Sequence, residues 1–141
     1  MNSSNTNSGG WESCAMRTSN MATYLSQLTS AWQSVVKQVN KLSSAGSQST
    51  TIKTTADKLF LLSEVEIFGS ATYSVSGEGS QYAYYKAGNS KVKNVNGSAH
   101  YWWERSPYAS DTTNFCIVNS YGNANYSSAS NSYGVAFGFC V

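Results

Sequence analysis

Hydrophobic periodicity changes along this chain, from helical spacing in the first third to short strand-like runs afterwards. Between residues 21 and 42, apolar side chains recur every three or four positions, at Met21, Leu25, Leu28, Trp32, Val35, Val39 and Leu42. This spacing predicts one long amphipathic helix that ends at the Ser/Gly run 43–49. Thr18, Ser19 or Asn20 would cap its start. A coiled-coil seam is the alternative, but the flanking positions are Ser, Thr and Gln rather than complementary charges.

The rest of the chain predicts short strands between turn residues. A short helix is predicted over 11–17 and a polar connection over 43–56. The run at 64–68 alternates like a half-exposed strand, with Glu64 and Glu66 on its solvent face. The complete set of predicted strands is 58–62, 64–68, 101–105, 115–118, 124–126 and 134–141. Helices followed by short antiparallel strands predict one α+β domain over 9–141, with a polar lead-in at 1–8.

Composition indicates a folded domain and argues against nucleic acid as a partner. The 141 residues are 40% hydrophobic and 13% aromatic but only 11% charged, whereas disordered chains combine high charge with few aromatics. The formal net charge of +2 is small, and the basic residues are scattered. Lys86, Lys91 and Lys93 form the one local basic cluster, which we interpret as a solvated loop rather than a phosphate site.

Few residues are suited to catalysis or metal binding. His100 is the only histidine, and no Cys-x-x-Cys pair exists, so we expect no metal, no cofactor and no enzymatic activity. Glu64 and Glu66 could form an acid–base pair, but two solvated carboxylates are the preferred interpretation. Cys14, Cys116 and Cys140 are odd in number, which leaves a Cys116–Cys140 bridge or free thiols. We favour buried free thiols, because both cysteines lie in apolar runs.

No targeting or spanning segment is recognisable in the sequence. Residues 1–10 lack the basic and apolar regions of a secretory signal, and no apolar run is long enough to cross a bilayer. We therefore expect no membrane insertion. The chain would be cytoplasmic when made, a virion component, or a domain of a longer exported protein.

The C-terminal quarter uses a restricted set of residue types. From residue 107 to residue 141 there is no Lys, Arg, Glu, Gln, Met, Trp or Leu, and Asp111 is the one formal charge. Around a few apolar anchors the segment consists of Tyr, Ser, Asn, Gly, Ala and Thr. Antibody paratopes have a similar composition, in which Tyr gives contact area and Ser, Gly and Asn give adaptable hydrogen bonds. The alternative is a Gly/Ser-rich loop set with no partner.

Five stretches carry a family resemblance: GGWESCAMR (9–17), DKLFLLSEVEIFG (57–69), GEGSQYAYYKAG (77–88), YWWERSP (101–107) and SYGVAFGFCV (132–141). They resemble a family of bacterial and phage domains whose members include variable proteins of diversity-generating retroelements. The resemblance implies a C-type lectin-like fold, related to that of the formylglycine-generating enzyme. It also implies a C-terminal repeat diversified at adenines, mostly in AAC codons. The resulting NNC codons cannot encode Lys, Glu, Gln, Met or Trp, all of which are missing after residue 107.

The resemblance implies a set of diversified, ligand-binding positions within about 100–133. These are Tyr108, Asp111, Thr112, Thr113, Ile117, Tyr121, Tyr126, Ser127, Ser128, Ser130 and Tyr133. Asn123 and Asn125 would be unchanged members of the set, and His100 and Tyr101 would extend it. The Glu-Pro-Asn and Trp-Asn-Asp triplets of calcium-dependent lectins are absent, and so is a convincing counterpart of the catalytic cysteine pair of the formylglycine-generating enzymes.

The sequence as a whole favours a non-catalytic protein that displays a variable surface to a macromolecular ligand. That ligand would be a protein on a cell or phage surface, with the domain located on a phage tail or on a bacterial surface. The alternative is a structural or adhesive module of a larger surface protein or tail fibre. A near-copy of the segment 100–133, differing at adenines and lying beside a reverse transcriptase gene, would distinguish the two.

Overall fold

The fold is described by a computed structural model that covers residues 1–141. It contains a π-helix, Met16–Asn20, and five short α-helices: α1 (Gly10–Ser13), α2 (Met21–Gln27), α3 (Ser30–Val35), α4 (Glu64–Phe68) and α5 (Ala83–Lys86). Its strands are β1 (Val39–Ser44), β2 (Ile52–Asp57), β3 (Phe60–Leu61), β4 (Lys93–Val95), β5 (Ser98–His100), β6 (Trp102–Pro107), β7 (Asn114–Val118), β8 (Ala124–Ser128) and β9 (Phe137–Gly138).

The strands form four small antiparallel sheets. β1 pairs with β2, β4 with β5, and β3 with the distant β9, while β6, β7 and β8 form a three-stranded sheet in that order. Most of the helical residues precede β1. This arrangement confirms the predicted α+β class. None of the helices has the length and apolar character needed to cross a bilayer.

The main core lies between the N-terminal helices and one face of the three-stranded sheet. Trp11, Trp103 and Phe115 are fully or almost fully buried there, together with Met16 and Leu61. A smaller cluster on the other side of the sheet joins Ile67, Tyr85, Trp102 and Val118. Adjacent residues Trp102 and Trp103 thus enter different cores, because successive side chains of a strand point to opposite faces.

The predicted long helix over residues 21–42 is wrong in its second half. α2 ends at Gln27, α3 ends at Val35, and β1 begins at Val39. The backbone leaves the helical conformation at Leu28 and Thr29, whose ψ angles are 152° and 155°, and the Gln33 amide donates to the carbonyl oxygen of Leu28 (2.7 Å). Residues 39–44 then pair with 52–57, which had been predicted as part of a polar connection.

The segment 64–68 is helix α4, whereas a half-exposed strand was predicted. Ser63 and Glu66 form a capping box: the Ser63 hydroxyl accepts from the Glu66 N–H, and the Glu66 carboxylate accepts from the Ser63 N–H. Gly69, at φ 79°, ends the helix in the left-handed conformation. Glu64 and Glu66 are both buried, so their predicted solvent exposure is also wrong.

Residues 1–8, predicted as a lead-in outside the domain, are packed into it. Asn7 is completely buried, and its side-chain amide donates to the carbonyl oxygens of Asp111 (3.1 Å) and Asn114 (2.8 Å). The Asn2 N–H donates to the carbonyl oxygen of Ala129. The N-terminal segment therefore helps to fix the loops of the C-terminal quarter.

The other sequence predictions hold in the C-terminal half and in the first helix. α1 and the π-helix occupy the region predicted as helix over 11–17, and strands β6, β7 and β8 lie where 101–105, 115–118 and 124–126 predicted them. Only Phe137–Gly138 forms a strand within 134–141. All three cysteines are free: Cys116 is buried as predicted, Cys140 is exposed and so contradicts the predicted burial, and Cys14 is also buried.

Arg105 is a fully buried cation that joins four separate parts of the chain. Its guanidinium donates to the carbonyl oxygens of Leu42 (2.9 Å), Leu61 (2.8 Å) and Glu78 (2.9 Å). It also forms an ion pair with Glu66, which pairs in turn with Lys41. A planar group with five donors is suited to such a site, because each acceptor approaches along a separate N–H direction.

We expect Arg105→Met to lower the free energy of unfolding by about 3–5 kcal/mol, because it leaves Glu66 with one cation and removes one donor from each of three carbonyl oxygens. Urea unfolding measures the loss. Lys86→Met, at an exposed position, is the matched control and should change stability by no more than about 0.5 kcal/mol. A loss below about 1 kcal/mol for Arg105→Met would contradict this account.

Candidate functional site

The predicted binding positions lie mainly on and around β8, the edge strand of the three-stranded sheet. Tyr126 is opposite Cys116 in the neighbouring strand, and Ser127 is opposite Phe115. Since side chains alternate along a strand, Tyr126 and Ser127 point to opposite faces of the sheet. The predicted set is therefore divided between two surfaces, one on each side of β8.

The first surface is a group of three tyrosines that we call the stacked tyrosine cluster: Tyr73, Tyr108 and Tyr126. The rings of Tyr108 and Tyr126 are nearly parallel, with centroids 4.0 Å apart and an interplanar angle of 8°. Tyr73 meets Tyr126 edge-on at 5.2 Å. The neighbouring Tyr108 phenol raises the pKa of Tyr126, so Tyr126 stays neutral at physiological pH and both donates and accepts hydrogen bonds. Tyr73 was missed by sequence reasoning, because it lies outside the restricted C-terminal segment.

The second surface is centred on Tyr133. Its ring lies 5.4 Å from that of Tyr101 and 5.1 Å from that of Trp103. Its hydroxyl is 3.0 Å from the Ser127 hydroxyl, which also accepts from the Asn131 side-chain amide at 2.9 Å. We call Tyr101, Ser127, Asn131 and Tyr133 the Tyr133 cluster. Tyr133 is thus held by ring contacts on one side and by a hydrogen bond on the other.

The turn between β7 and β8 presents the most exposed aromatic side chain. Tyr121 is 82% exposed. The Asn119 side-chain oxygen accepts from the backbone N–H groups of Tyr121 (2.9 Å) and Asn123 (3.0 Å) and so fixes the turn. Gly122, at φ 83°, supplies the left-handed residue that the turn requires. Asn119 was not predicted. The available signal was an asparagine directly after a predicted strand and three residues before Gly122.

The Asp111 carboxylate is engaged within its own loop. It accepts from the N–H groups of Thr113 (2.9 Å) and Asn114 (2.8 Å) and from the Asn114 side-chain amide. These bonds occupy both carboxylate oxygens. The predicted role of Asp111 in binding is therefore less direct than its role in holding the loop between β6 and β7.

Exposure differs widely among the predicted ligand-binding residues. Tyr101, Thr112, Tyr121, Asn123, Tyr126 and Ser130 are exposed; Tyr108, Asp111, Thr113, Ser127, Ser128 and Tyr133 are half-buried. Ile117 is 3% exposed and belongs to the main core, so it has no surface to offer a ligand, and we withdraw it from the site.

The chain as a whole matches a known sequence family. Residues 1–141 match the family described as a domain of unknown function, DUF6273. The chain belongs to this family. Searches of curated proteins and of solved structures found no match. The family description assigns no activity, so the functional argument rests on the geometry of this DUF6273 chain.

The stacked tyrosine cluster of this DUF6273 chain is supported from below by a buried carboxylate. Glu64 accepts from the backbone N–H groups of Tyr73 (3.0 Å) and Ser74 (2.7 Å) and from the Ser74 hydroxyl. The Ser106 hydroxyl accepts from the Glu64 N–H and donates to Glu78. The backbone that carries the Tyr73 ring is therefore fixed by a hydrogen-bonded network in the interior.

Folding shifts the pKa values of three buried carboxyl groups of this region in different directions. Burial would raise the pKa of Glu66, but the hydrogen bonds and charges of Arg105 and Lys41 outweigh it, so the pKa is lowered. Burial raises the pKa of Glu78 to about 7, against the hydrogen bonds from Ser106 and Ser44. Burial and then the charges of Glu64 and Glu78 raise the pKa of Glu104 well above its ordinary value.

Glu104 differs from the other buried carboxyls in that neither of its oxygens has a hydrogen-bond partner. The raised pKa means that folding favours the protonated form of Glu104. No group of three or more His, Cys, Asp or Glu side chains is arranged to hold a metal ion. Burial raises the pKa of the Cys116 thiol well above its ordinary value, so Cys116 is a poor nucleophile.

We expect Glu104→Gln to reduce the dependence of stability on pH. Folding raises the pKa of Glu104 above its unfolded value of about 4.3. Folding therefore takes up a proton above this pH, and the free energy of unfolding falls as the pH rises from about 4.3 towards the folded-state pKa. The slope from one such group is about 1.4 kcal/mol per pH unit, and the neutral Gln removes it.

Urea unfolding between about pH 5 and pH 7 measures this slope, and the variant should gain stability relative to the wild type as pH rises. Glu78 has the same sign in this range and is retained in both proteins. Glu12→Gln, at an exposed position, is the control and should leave the slope unchanged. Equal slopes for the wild type and Glu104→Gln would show that Glu104 is ionised in the folded chain.

Proposed function

We propose that this DUF6273 chain is a non-catalytic binding protein that presents an exchangeable Tyr/Ser/Asn surface around β8 to a protein ligand. The observation that carries the proposal is the separation of two residue populations within one sheet. Phe115, Ile117 and Val118 of β7 are buried in the cores, whereas Tyr126 of β8 and Tyr121 of the connecting turn are exposed. The displayed residues can therefore change without altering the packing of the scaffold.

The chemistry of the displayed residues supports binding rather than catalysis. Apart from the buried Ile117 and from Asp111, whose carboxylate is engaged in its loop, the predicted binding positions carry phenols, hydroxyls and amides. Phenol rings give large contact areas with few rotatable bonds, and small polar side chains adapt to different partners. Single exposed aromatic residues are common on protein surfaces, whereas grouped aromatic residues such as these two tyrosine clusters are typical of interaction sites.

We further propose that the scaffold is related to the C-type lectin-like fold. Two features support this: the helices come first, and the end of the chain returns to pair with much earlier segments. β9 pairs with β3, and Cys140 forms an isolated bridge with Lys37. Such closure places the C-terminal quarter, which carries the exchangeable positions, on a framework fixed at both ends.

We expect a library that varies five displayed positions among Asn, Ser, Tyr, Thr and Asp to remain folded and to yield binders to an arbitrary test protein such as lysozyme. The varied positions are Thr112, Tyr121, Asn123, Tyr126 and Ser130, all of which are exposed. Surface substitutions of this kind usually change stability by no more than about 0.5 kcal/mol. Yeast display measures the folded fraction by protease resistance and the binders by sorting.

A control library varies five buried positions with the same alphabet: Trp103, Phe115, Ile117, Val118 and Ala129. It should lose the folded state in most members, since each change leaves a cavity or a buried polar group. Equal loss of folding in the two libraries, or no binders from a folded displayed library, would contradict the proposed function.

A second candidate function, a structural or adhesive module, is favoured by one exposed apolar surface. None of the residues of α3 is buried. Trp32 is 49% exposed and lies edge-on to Phe139 at 5.5 Å, with exposed Val35 and Val141 also present. We call Trp32, Val35, Phe139 and Val141 the α3 patch. It lies outside the predicted variable segment and would serve a constant contact.

If the α3 patch is an assembly contact, Trp32→Ser should weaken self-association of the chain by about tenfold without loss of folding, because its ring is half exposed already. Sedimentation velocity over a concentration series measures the association. Tyr84→Ser, at another exposed aromatic residue, is the control and should have no effect. A wild-type chain that stays monomeric throughout the series would rule out the contact between copies.

A further inference from the structure

We propose that a groove beside the Tyr133 cluster is the anchor pocket of the binding surface and takes one large uncharged side chain, aromatic or aliphatic, from a protein ligand. This inference rests on the proposed function and assigns its centre of specificity. The groove has a volume of about 390 Å³ and lies between the N-terminal segment, the π-helix and the loop 130–135.

The base of the groove is apolar and rigid. Trp103 and Met16 line it and are almost completely buried, so they form its floor. Tyr24, Tyr133 and Val135 are half-buried and form its walls. An aromatic or aliphatic side chain entering this space would be removed from water against a surface that is already packed, which is the usual environment of an interface anchor.

The rim of the groove is polar and carries no charged side chain. Its exposed residues are Ser3, Ser130, Asn131 and Ser132, and Asn2 and Asn20 lie partly exposed beside them. Hydroxyls and amides at a rim can bond the backbone amides on either side of an anchored residue. A cationic side chain would lose hydration here without finding a carboxylate, because no acidic residue lines the groove. The apolar floor accommodates an aromatic or aliphatic side chain, and the amides and hydroxyls of the rim can bond the backbone on either side of it, so a protein segment fits both parts of the groove.

The π-helix supports a functional role for the same groove. Met16 and Asn20, the first and last residues of the π-helix, both line it, as does Ala15 just before. π-Helical turns are rare, and they occur frequently at functional sites. This turn is independent of the residue composition that first pointed to the C-terminal quarter.

Both walls of the groove are fixed by backbone hydrogen bonds. On one side, Gly134 donates to the carbonyl oxygen of Tyr101 (2.9 Å) and accepts from the N–H of Trp103 (3.0 Å). On the other side, the Ala15 N–H donates to the Asn2 side-chain oxygen (2.8 Å). A pocket formed before binding avoids much of the ordering cost that a flexible surface incurs.

Two of the predicted exchangeable positions, Ser130 and Tyr133, line this groove. An exchange at Ser130 would change the entrance, and an exchange at Tyr133 would change a wall, while Trp103 and Met16 stay constant beneath. The groove would therefore accept different anchor side chains in different versions of the protein. The stacked tyrosine cluster and Tyr121 would add contact area, whereas the groove would select the shape of the anchor side chain.

The test is an NMR titration of the ¹⁵N-labelled full chain with N-acetyl-tryptophanamide, an uncharged analogue of an anchored residue. We expect binding with a dissociation constant on the order of 1 mM, with shifts at the Trp103 indole and at the backbone amides of Ala15 and Asn131. Ser130→Trp should weaken it at least about tenfold by filling the entrance. Ser80→Trp, at an exposed serine outside the groove, should bind as the wild type does.

Three outcomes would overturn the assignment: no shifts in the groove, equal binding by Ser130→Trp, or groove shifts with the methyl glycoside of N-acetylglucosamine but not with the tryptophan amide. The last would show that the groove takes a glycan. The displayed-position library keeps this test separate from the proposed function. Selected binders that tolerate Ser130→Trp would sink the pocket alone, whereas an absence of binders despite tryptophan-amide binding would sink the proposed function alone.

Discussion

The guanidinium group of Arg105 is the interaction on which the rest of the structure depends. It is completely buried, and it donates to the carbonyl oxygens of Leu42 in β1, Leu61 in β3 and Glu78 in the loop before α5. Arg105 lies in β6, so these bonds join strands that belong to three separate sheets. Its ion pair with Glu66 also fixes α4, whose capping box uses the same carboxylate.

Buried carboxylates, and not apolar packing alone, fix the backbone that carries the surface tyrosines. Glu64, at the start of α4, holds the backbone of Tyr73, and the Tyr73 ring meets the tyrosines of β6–β8 at the surface. Glu104 contributes no hydrogen bond to this network, and its burial favours the protonated form. The chain thus tolerates an unpartnered polar group in its interior, while the surface around β8 carries almost no charge.

Sequence reasoning succeeded where local pattern and packing agree. β6 and β7 are apolar runs ended by Pro107 and by a turn, and these signals need no long-range information. α4 was also within reach, because Ser63 and Glu66 have capping-box spacing and Gly69 follows as a C-terminal cap. The burial of Asn7 and Glu104 could not be predicted, since it depends on partners about a hundred residues away or on none. The division of the exchangeable positions between two faces required the register of β8 against β7.

The edge position of β8 has a consequence for solubility. An unpaired edge strand offers its backbone to other chains and is a common route to aggregation, and a strand whose side chains vary cannot rely on them for protection. Here the Tyr126 N–H donates to the Asn125 side-chain oxygen at 2.8 Å, so the strand occupies one of its own exposed donors. An asparagine at position 125 would therefore act as a gatekeeper against sheet extension. Variants without this asparagine would aggregate more readily through the β8 edge.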